Sequence, residues 1–181
     1  MYNTITIRLA EPEDAATIAY FSRKTFYESF ADQNSKRDME KFLKHQFSVR
    51  NLMAEVNRKH HTILLAYRFH TLVGYALLRE AKNPEDISST VKAMELARLY
   101  VDKPFKGTGV GNAIMKECIN HARLHSKETL WLGVWHENHR AIDFYTKWGF
   151  KKSGSKIFLL GDDPQIDWVM TKDLRLEGSE G

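Results

Sequence analysis

The chain is poor in the residues that staple a fold or carry it across a membrane. One cysteine, Cys118, stands among 181 residues, so no internal disulfide can form. No apolar run is long enough to span a bilayer. The opening MYNTITIRLAEPED has neither the basic nor the apolar stretch of a signal peptide. Together these predict a reducing, cytoplasmic setting and no membrane partner. Nothing in the chain reads as a repeat or a linker. Residues 1–176 are therefore expected to form a single domain, with 177–181 as a flexible tail. Basic blocks are missing too. Arg23-Lys24, Lys36-Arg37, Arg58-Lys59 and Lys151-Lys152 are scattered pairs. A net charge of +4, from 27 Lys and Arg against 23 Asp and Glu, suits an anionic ligand. Without a basic arm, no nucleic-acid partner is expected.

What is present is enough apolar material, 43% of residues, for a substantial core. Thr4 to Leu9 alternates, predicting a strand with Ile5, Ile7 and Leu9 inward. Pro12, Glu13 and Asp14 suit a helix first turn, and Ile18, Phe21, Phe26 and Phe30 follow at helical spacing. Ser35 is placed to cap a second helix carrying Met39, Phe42, Leu43 and Phe47, and Val49 to Arg58 forms a third piece. These aromatic stripes read as core packing. His61 to Tyr67 and Thr71 to Arg79 form a hairpin, and a polar loop runs from Asn83 to about Lys92. Thr129 to Trp135 is apolar almost throughout, as in a strand buried on both faces. A short helix spans Asn138 to Trp148, and strands Lys156 to Leu160 and Asp167 to Thr171 close the chain. The layout is mixed α/β around one sheet.

The most informative stretch is Met94 to Ala122. An apolar strand, Leu96 to Val101, leads into the turn Lys106-Gly107-Thr108-Gly109-Val110-Gly111. A helix follows, with Val110, Ile114, Cys118 and Ala122 on one face. Strand, glycine turn and helix cradle phosphate, because the first helix amides lack internal partners and glycine lets a ligand approach the backbone. Gly111-Asn112 closes the turn where a nucleotide P-loop needs Gly-Lys-Ser/Thr, and G-x-G-x-G is not the dinucleotide register. On these residues alone, a glycine connection without a ligand stays open. Cys118 falls on the apolar helix face and reads as a buried thiol. His121 and His125 have a metal-compatible spacing, but no Cys or carboxylate pattern completes a site, so no metal is expected.

The turn resembles the acetyl-CoA motif of the GNAT N-acetyltransferase superfamily, with Lys106 where the family has Gln or Arg. Lys keeps the charge and loses the two-pronged grip of Arg. A second family element follows at Asn138-His139-Arg140-Ala141-Ile142-Asp143-Phe144-Tyr145, then Gly149-Phe150. Trp131-Leu132-Gly133-Val134-Trp135, Gln33-Asn34-Ser35, and Gly161-Asp162 with Gln165 and Asp167 are similar to the bacterial spermidine/spermine N-acetyltransferase subgroup. The resemblance implies the acyl-CoA N-acyltransferase fold, a mostly antiparallel twisted sheet flanked by helices. It implies direct acetyl transfer through a tetrahedral intermediate from acetyl-CoA to a small primary amine, most naturally a polyamine.

It also implies roles. Backbone amides of Gly107, Thr108, Gly109, Val110 and Gly111, with Asn112, would hold the pyrophosphate, and Lys106 would assist by charge. Leu99, Tyr100 and Val101 would pair with the pantetheine arm, and Asn138 and Lys147 join the cofactor set. Tyr145 would protonate the leaving thiolate. Glu95 would remove the amine proton, with His136 as the other candidate. A polycationic substrate calls for carboxylates, for which Glu28, Asp32, Asp162, Asp163 and Asp167 are available. The competing activities are protein N-terminal or lysine acetylation, and a non-catalytic acyl-CoA-binding regulator. Exposed sheet edges allow a homodimer.

Overall fold

The structure, a computed structural model, describes residues 4–80, 82–85 and 87–175. The expected tail lies outside the described residues. In chain order the elements are β1 (Ile5–Leu9), α1 (Ala15–Phe30), α2 (Lys36–Gln46), α3 (Val49–Val56), β2 (His61–Arg68), β3 (Thr71–Arg79) and β4 (Ala93–Val101). Then follow α4 (Val110–Leu124), β5 (Thr129–Trp135), α5 (His139–Lys147), β6 (Lys151–Leu160) and β7 (Asp163–Asp173). The seven strands form one sheet in the order β1-β2-β3-β4-β5-β7-β6. Every neighbouring pair is antiparallel except β4 and β5. A parallel pair needs a crossover, and α4 supplies it.

The caps follow the sequence. Ser35 accepts from the Asp38 amide at 3.1 Å and starts α2. Asn138 accepts from the Ala141 amide at 3.3 Å and starts α5. Two layers cover the sheet. On one side Val110, Ile114, Cys118 and Ala122 of α4 are fully buried against Leu130, Leu132 and Val134 of β5. On the other, Ile18, Phe21 and Phe26 of α1 and Met39 of α2 pack with Leu65, Tyr75 and Leu77. Within that layer Ser22 hydroxyl donates to Tyr75 hydroxyl at 2.7 Å, tying α1 to β3.

Two expectations are corrected. Leu9 is 59% exposed. It ends an edge strand that pairs only with β2, and only Ile5 and Ile7 reach the core under α4. The closing strands are longer than their apolar runs, because β6 and β7 pair from Lys151–Thr171 to Leu160–Asp163 and leave only Gly161-Asp162 as the turn.

A buried ion pair fastens α3 to β4. Arg98 donates to both Glu55 carboxylate oxygens, at 2.7 and 2.9 Å, with its guanidinium 5.0 Å over the Phe47 ring. Both side chains are largely shielded, so removing one partner strands a charge. Glu55→Ala is expected to lower unfolding free energy by about 3–5 kcal/mol, and adding Arg98→Met to recover most of it. Denaturant unfolding of the two variants checks this; equal stability of both would show the pair is not what fastens α3.

Candidate active site

The two parallel strands pair over three residues only. Ala93, Met94 and Glu95 lie opposite Thr129, Leu130 and Trp131, and no pairing of β4 with β5 continues beyond them. A cleft of about 800 Å³ opens there. Leu96 to Val101 line one wall and Gly133 to Trp135 another. The glycine turn and α5 line one end. Aromatic side chains of α1, α2 and β6 line the rest.

At the turn end, Gly107 and Gly109 have φ of +83° and +92°, which side chains resist, and a side chain on either would project into open space. Gly109 precedes α4 in the left-handed conformation without a side-chain cap. Its carbonyl accepts from Ala113 at 3.0 Å. The amides of Gly109, Val110, Gly111 and Asn112 therefore have no partner inside the helix. Thr108 departs from the expected set. Its amide donates to the Phe105 carbonyl at 3.3 Å, its hydroxyl to the same oxygen at 2.8 Å, and its side chain is not in the cleft wall. The Val110 side chain is fully buried in the core, so only its amide is available. Lys106 lines the cleft and donates to Ser29 hydroxyl at 3.4 Å; burial, then the nearby Arg140, lowers its pKa.

Asn112 and Asn138 also line the cleft; the Asn112 side-chain oxygen accepts from Trp148 indole at 3.1 Å. Lys147 is exposed at the last turn of α5 and is absent from the wall. Arg140 and Lys103 do line it, as cations that the sequence pattern did not single out. The signal for Arg140 was its place as the second residue of the helix capped by Asn138. Arg68, outside the cleft wall, donates to Thr108 hydroxyl at 3.3 Å beside the turn and stacks over Phe105. It comes from a distant strand, so no local pattern marks it.

Tyr145 is 9% exposed, lines the cleft, and packs its ring on Phe144 and Phe150. Burial raises its phenol above the ordinary tyrosine range, so it stays protonated. Glu95 also lines the cleft and is 3% exposed. It does not sit at a solvated strand end: Arg79 holds both its oxygens, at 2.5 and 3.2 Å, and Lys156 lies 3.9 Å away. His136 is half-buried and outside the cleft wall.

The five candidate carboxylates do not converge. Asp162 and Asp163 border a separate outer hollow, and Asp162 pairs with Lys41 and Arg37. Asp32 lines neither. Glu28 and Asp167 line the main cleft. Asp167 is 8% exposed, and burial pushes its pKa up to about 6 against the pull of Lys156 and His136. The aromatic stripes serve twice: Phe26, Phe42 and Phe47 pack the core and also line the cleft. Cys118 is buried, and burial raises its thiol well above the usual range, as an inert core group requires. His121 ring nitrogen instead bonds Thr62 hydroxyl at 3.1 Å, and no metal-competent cluster exists among the described residues.

Two strands parting beside a glycine-led helix are the arrangement of acetyl-CoA-dependent N-acetyltransferases, and the fold and cleft define that class. The acetyltransferase (GNAT) family profile matches residues 22–150, so the chain belongs to that family. Over 162 residues it is 30% identical to an uncharacterized N-acetyltransferase in the pepI 3′ region of Lactobacillus delbrueckii subsp. lactis, covering 90% of this chain and 93% of that protein. The fold matches the PaiA N-acetyltransferase of Thermoplasma acidophilum, solved in complex with coenzyme A. The TM-score is 0.79 at 23% identity, over 94% of this chain and 99% of that one. A shorter match, 31% over 64 residues, is to the spermine/spermidine N(1)-acetyltransferase of Bacillus subtilis strain 168. It covers 35% of this chain and 42% of the other.

Gly109→Ala is expected to weaken coenzyme A binding about tenfold or more, because the strained backbone turns the free amides away, at about 1–3 kcal/mol. Calorimetric titration checks it, and unchanged affinity would remove the turn from the binding site. Asp167 gives a stability test. Its native pKa, about 6, lies above the ordinary carboxylate value, so its stabilising contribution is present below about pH 4 and lost as pH rises through 6. Asp167→Asn should therefore be more stable than the parent above pH 7, by up to about 3 kcal/mol, and equal to it near pH 4. Thermal melts across that range decide it; a difference independent of pH would refute the shift.

Proposed function

We propose that the protein acetylates a primary amine of a small polycationic molecule, a polyamine such as spermidine or spermine, by direct transfer from acetyl-CoA. One observation carries the reading. A single cleft joins the free helix amides to an aromatic, carboxylate-bearing wall at the point where β4 leaves β5.

The residues fit the donor. Amides of Gly109 to Asn112 would hold the pyrophosphate, with charge from Lys106 and Arg140. The unpaired edge of Leu99 to Val101 would pair with the pantetheine arm and offer an amide to the carbonyl oxygen as it becomes negative. Bound acetyl-CoA supplies the activated acyl group. Asn138 would orient the arm, and Tyr145, kept protonated by burial, would give its proton to the departing sulfur.

The other end supports a cationic acceptor. Phe30, Phe42, Trp135 and Phe158 offer ring faces, which attract ammonium groups. Asp167 and Glu28 offer negative charge in the same wall. The partial likeness to a spermine/spermidine N(1)-acetyltransferase supports the same class. A cytoplasmic setting accords with the lone free thiol of Cys118. A homodimer is part of this reading. It would use the open β6–β7 edge, where Ile157 and Ile166 face each other across the strands, both exposed, with Leu159 beside them.

Thiol release from acetyl-CoA with spermidine, spermine, putrescine and a lysine peptide, one at a time, tests the function. Saturable release with a polyamine is expected. Release with the peptide alone would make this a protein acetylase, and none with acetyl-CoA still bound would make it a regulator. Tyr145→Phe is expected to lower kcat about 10²–10⁴-fold while leaving acetyl-CoA affinity within about twofold. Unimpaired turnover would end the acid assignment.

A further inference from the structure

Buried carboxylates are ordinarily paired. Two stand at the acceptor end of the cleft, Glu95 on β4 and Asp167 on β7, and they differ in what holds them. Glu95 has both oxygens occupied by Arg79, with Lys156 close by. Among the described residues no hydrogen bond or ion pair engages the Asp167 carboxylate. Lys156, its partner across β6 and β7, and His136, just past β5, act on it electrostatically without pairing.

Position adds to this. Asp167 lies opposite Trp135, and its Oδ2 would stand 3.2 Å from a side chain built on Gly133, so the carboxylate leans over β5 into the cleft. Tyr100, on β4 across the gap, lies within electrostatic range of both Tyr145 and Asp167. Tyr145 belongs to the core on the α4 side of the sheet. Asp167 shares the opposite face with Val169, since Trp168 and Met170 face α4. A proton donor and an unpaired carboxylate thus approach one gap from two faces.

We propose that Asp167 takes the proton from the acceptor ammonium, and that Glu95 is a positioning residue that holds Arg79 and Lys156. The inference rests on the acetyl-transfer reading above. An N–H bond of the ammonium breaks and its proton goes to an Asp167 oxygen. The electron pair left on nitrogen forms the bond to the acetyl carbon. The C–S bond breaks with its pair on sulfur, and sulfur takes the Tyr145 proton. The nitrogen loses its second proton as the neutral amide forms; water in the open cleft passes that proton to the Tyr145 phenolate and carries the first from Asp167 to solvent.

The test is the pH dependence of kcat/KM for the amine in the parent, Asp167→Asn, Asp167→Glu and Glu95→Gln, with a carboxyl NMR titration of the parent. The parent should show an acidic limb with a midpoint near 6. Asp167→Asn should lose that limb and about 10²–10⁴-fold in kcat with acetyl-CoA affinity kept, and Asp167→Glu should regain part. Glu95→Gln should keep the limb. Asp167→Asn within about threefold of the parent, or a limb lost only in Glu95→Gln, would overturn the proposal. If no amine turns over, the acetyl-transfer reading fails separately, and the NMR signal that Asp167→Asn removes still decides the carboxylate's role. A midpoint near 6 that falls on adding spermidine supports contact with the cation. A midpoint of about 4 that spermidine leaves unmoved overturns it.

Discussion

Strands β4 and β5 stop pairing after Glu95 and Trp131, and the backbone groups that β4 turns away from β3 then face a gap. Buried backbone donors without partners cost free energy. The sheet could close the gap only by keeping β5 alongside β4, and the pairing stops at Glu95 and Trp131. An extended ligand arm with amides of its own can complete the ladder. On the proposed reading the gap is where such an arm would bind, with the free amides at the start of α4 in the same cleft. On that reading binding and catalytic geometry would come from the same unmade pairing, because an amide in that ladder would also face the reacting carbonyl.

Charge at the acceptor end follows from how the strands are ordered. Arg79, Glu95 and Lys156 come from β3, β4 and β6, yet they share one face of the sheet within ion-pair distance of one another through Glu95. Holding Glu95 between two cations leaves Asp167 as the acid whose environment disfavours its charge. Two carboxylates on one face, one paired and one desolvated, is how a site separates an electrostatic support from a group that exchanges protons near neutral pH.

Local features were legible in the sequence. The α4 face, the Ser35 and Asn138 caps and the glycine turn each depend on neighbours within four residues, so their spacing alone defines them. The strand segments were legible from their apolar patterns, though not the full lengths of β6 and β7, which pairing sets. What the sequence hid depends on partners far along the chain. Leu9 alternates correctly but has no layer above it. Thr108 spends its amide on Phe105 because a short 3₁₀ turn precedes it. Of five scattered acids, only strand order decides that Asp167 reaches the cleft while Asp162 meets Lys41. That Arg79 occupies both Glu95 oxygens was hidden because nothing near Glu95 in sequence announces Arg79, sixteen residues earlier on the adjacent strand.

The string Trp131-Leu132-Gly133-Val134-Trp135 can now be read physically. Leu132 and Val134 point to α4 and are packed there. The other three residues point to the acceptor face. A side chain on Gly133 would come within 2.6 Å of Lys156 Cε and 3.2 Å of Asp167 Oδ2, so its absence is what lets both groups cross β5. Trp131 lies under Lys156, whose ammonium is 5.2 Å from the ring centre, and this steadies a cation that Glu95 draws from one side. Trp135 stands opposite Asp167 and meets Phe30 edge-on, closing the wall where the amine would enter. Large, absent, large on one face is the pattern needed to seat a lysine and an aspartate over a strand and still leave the cleft open.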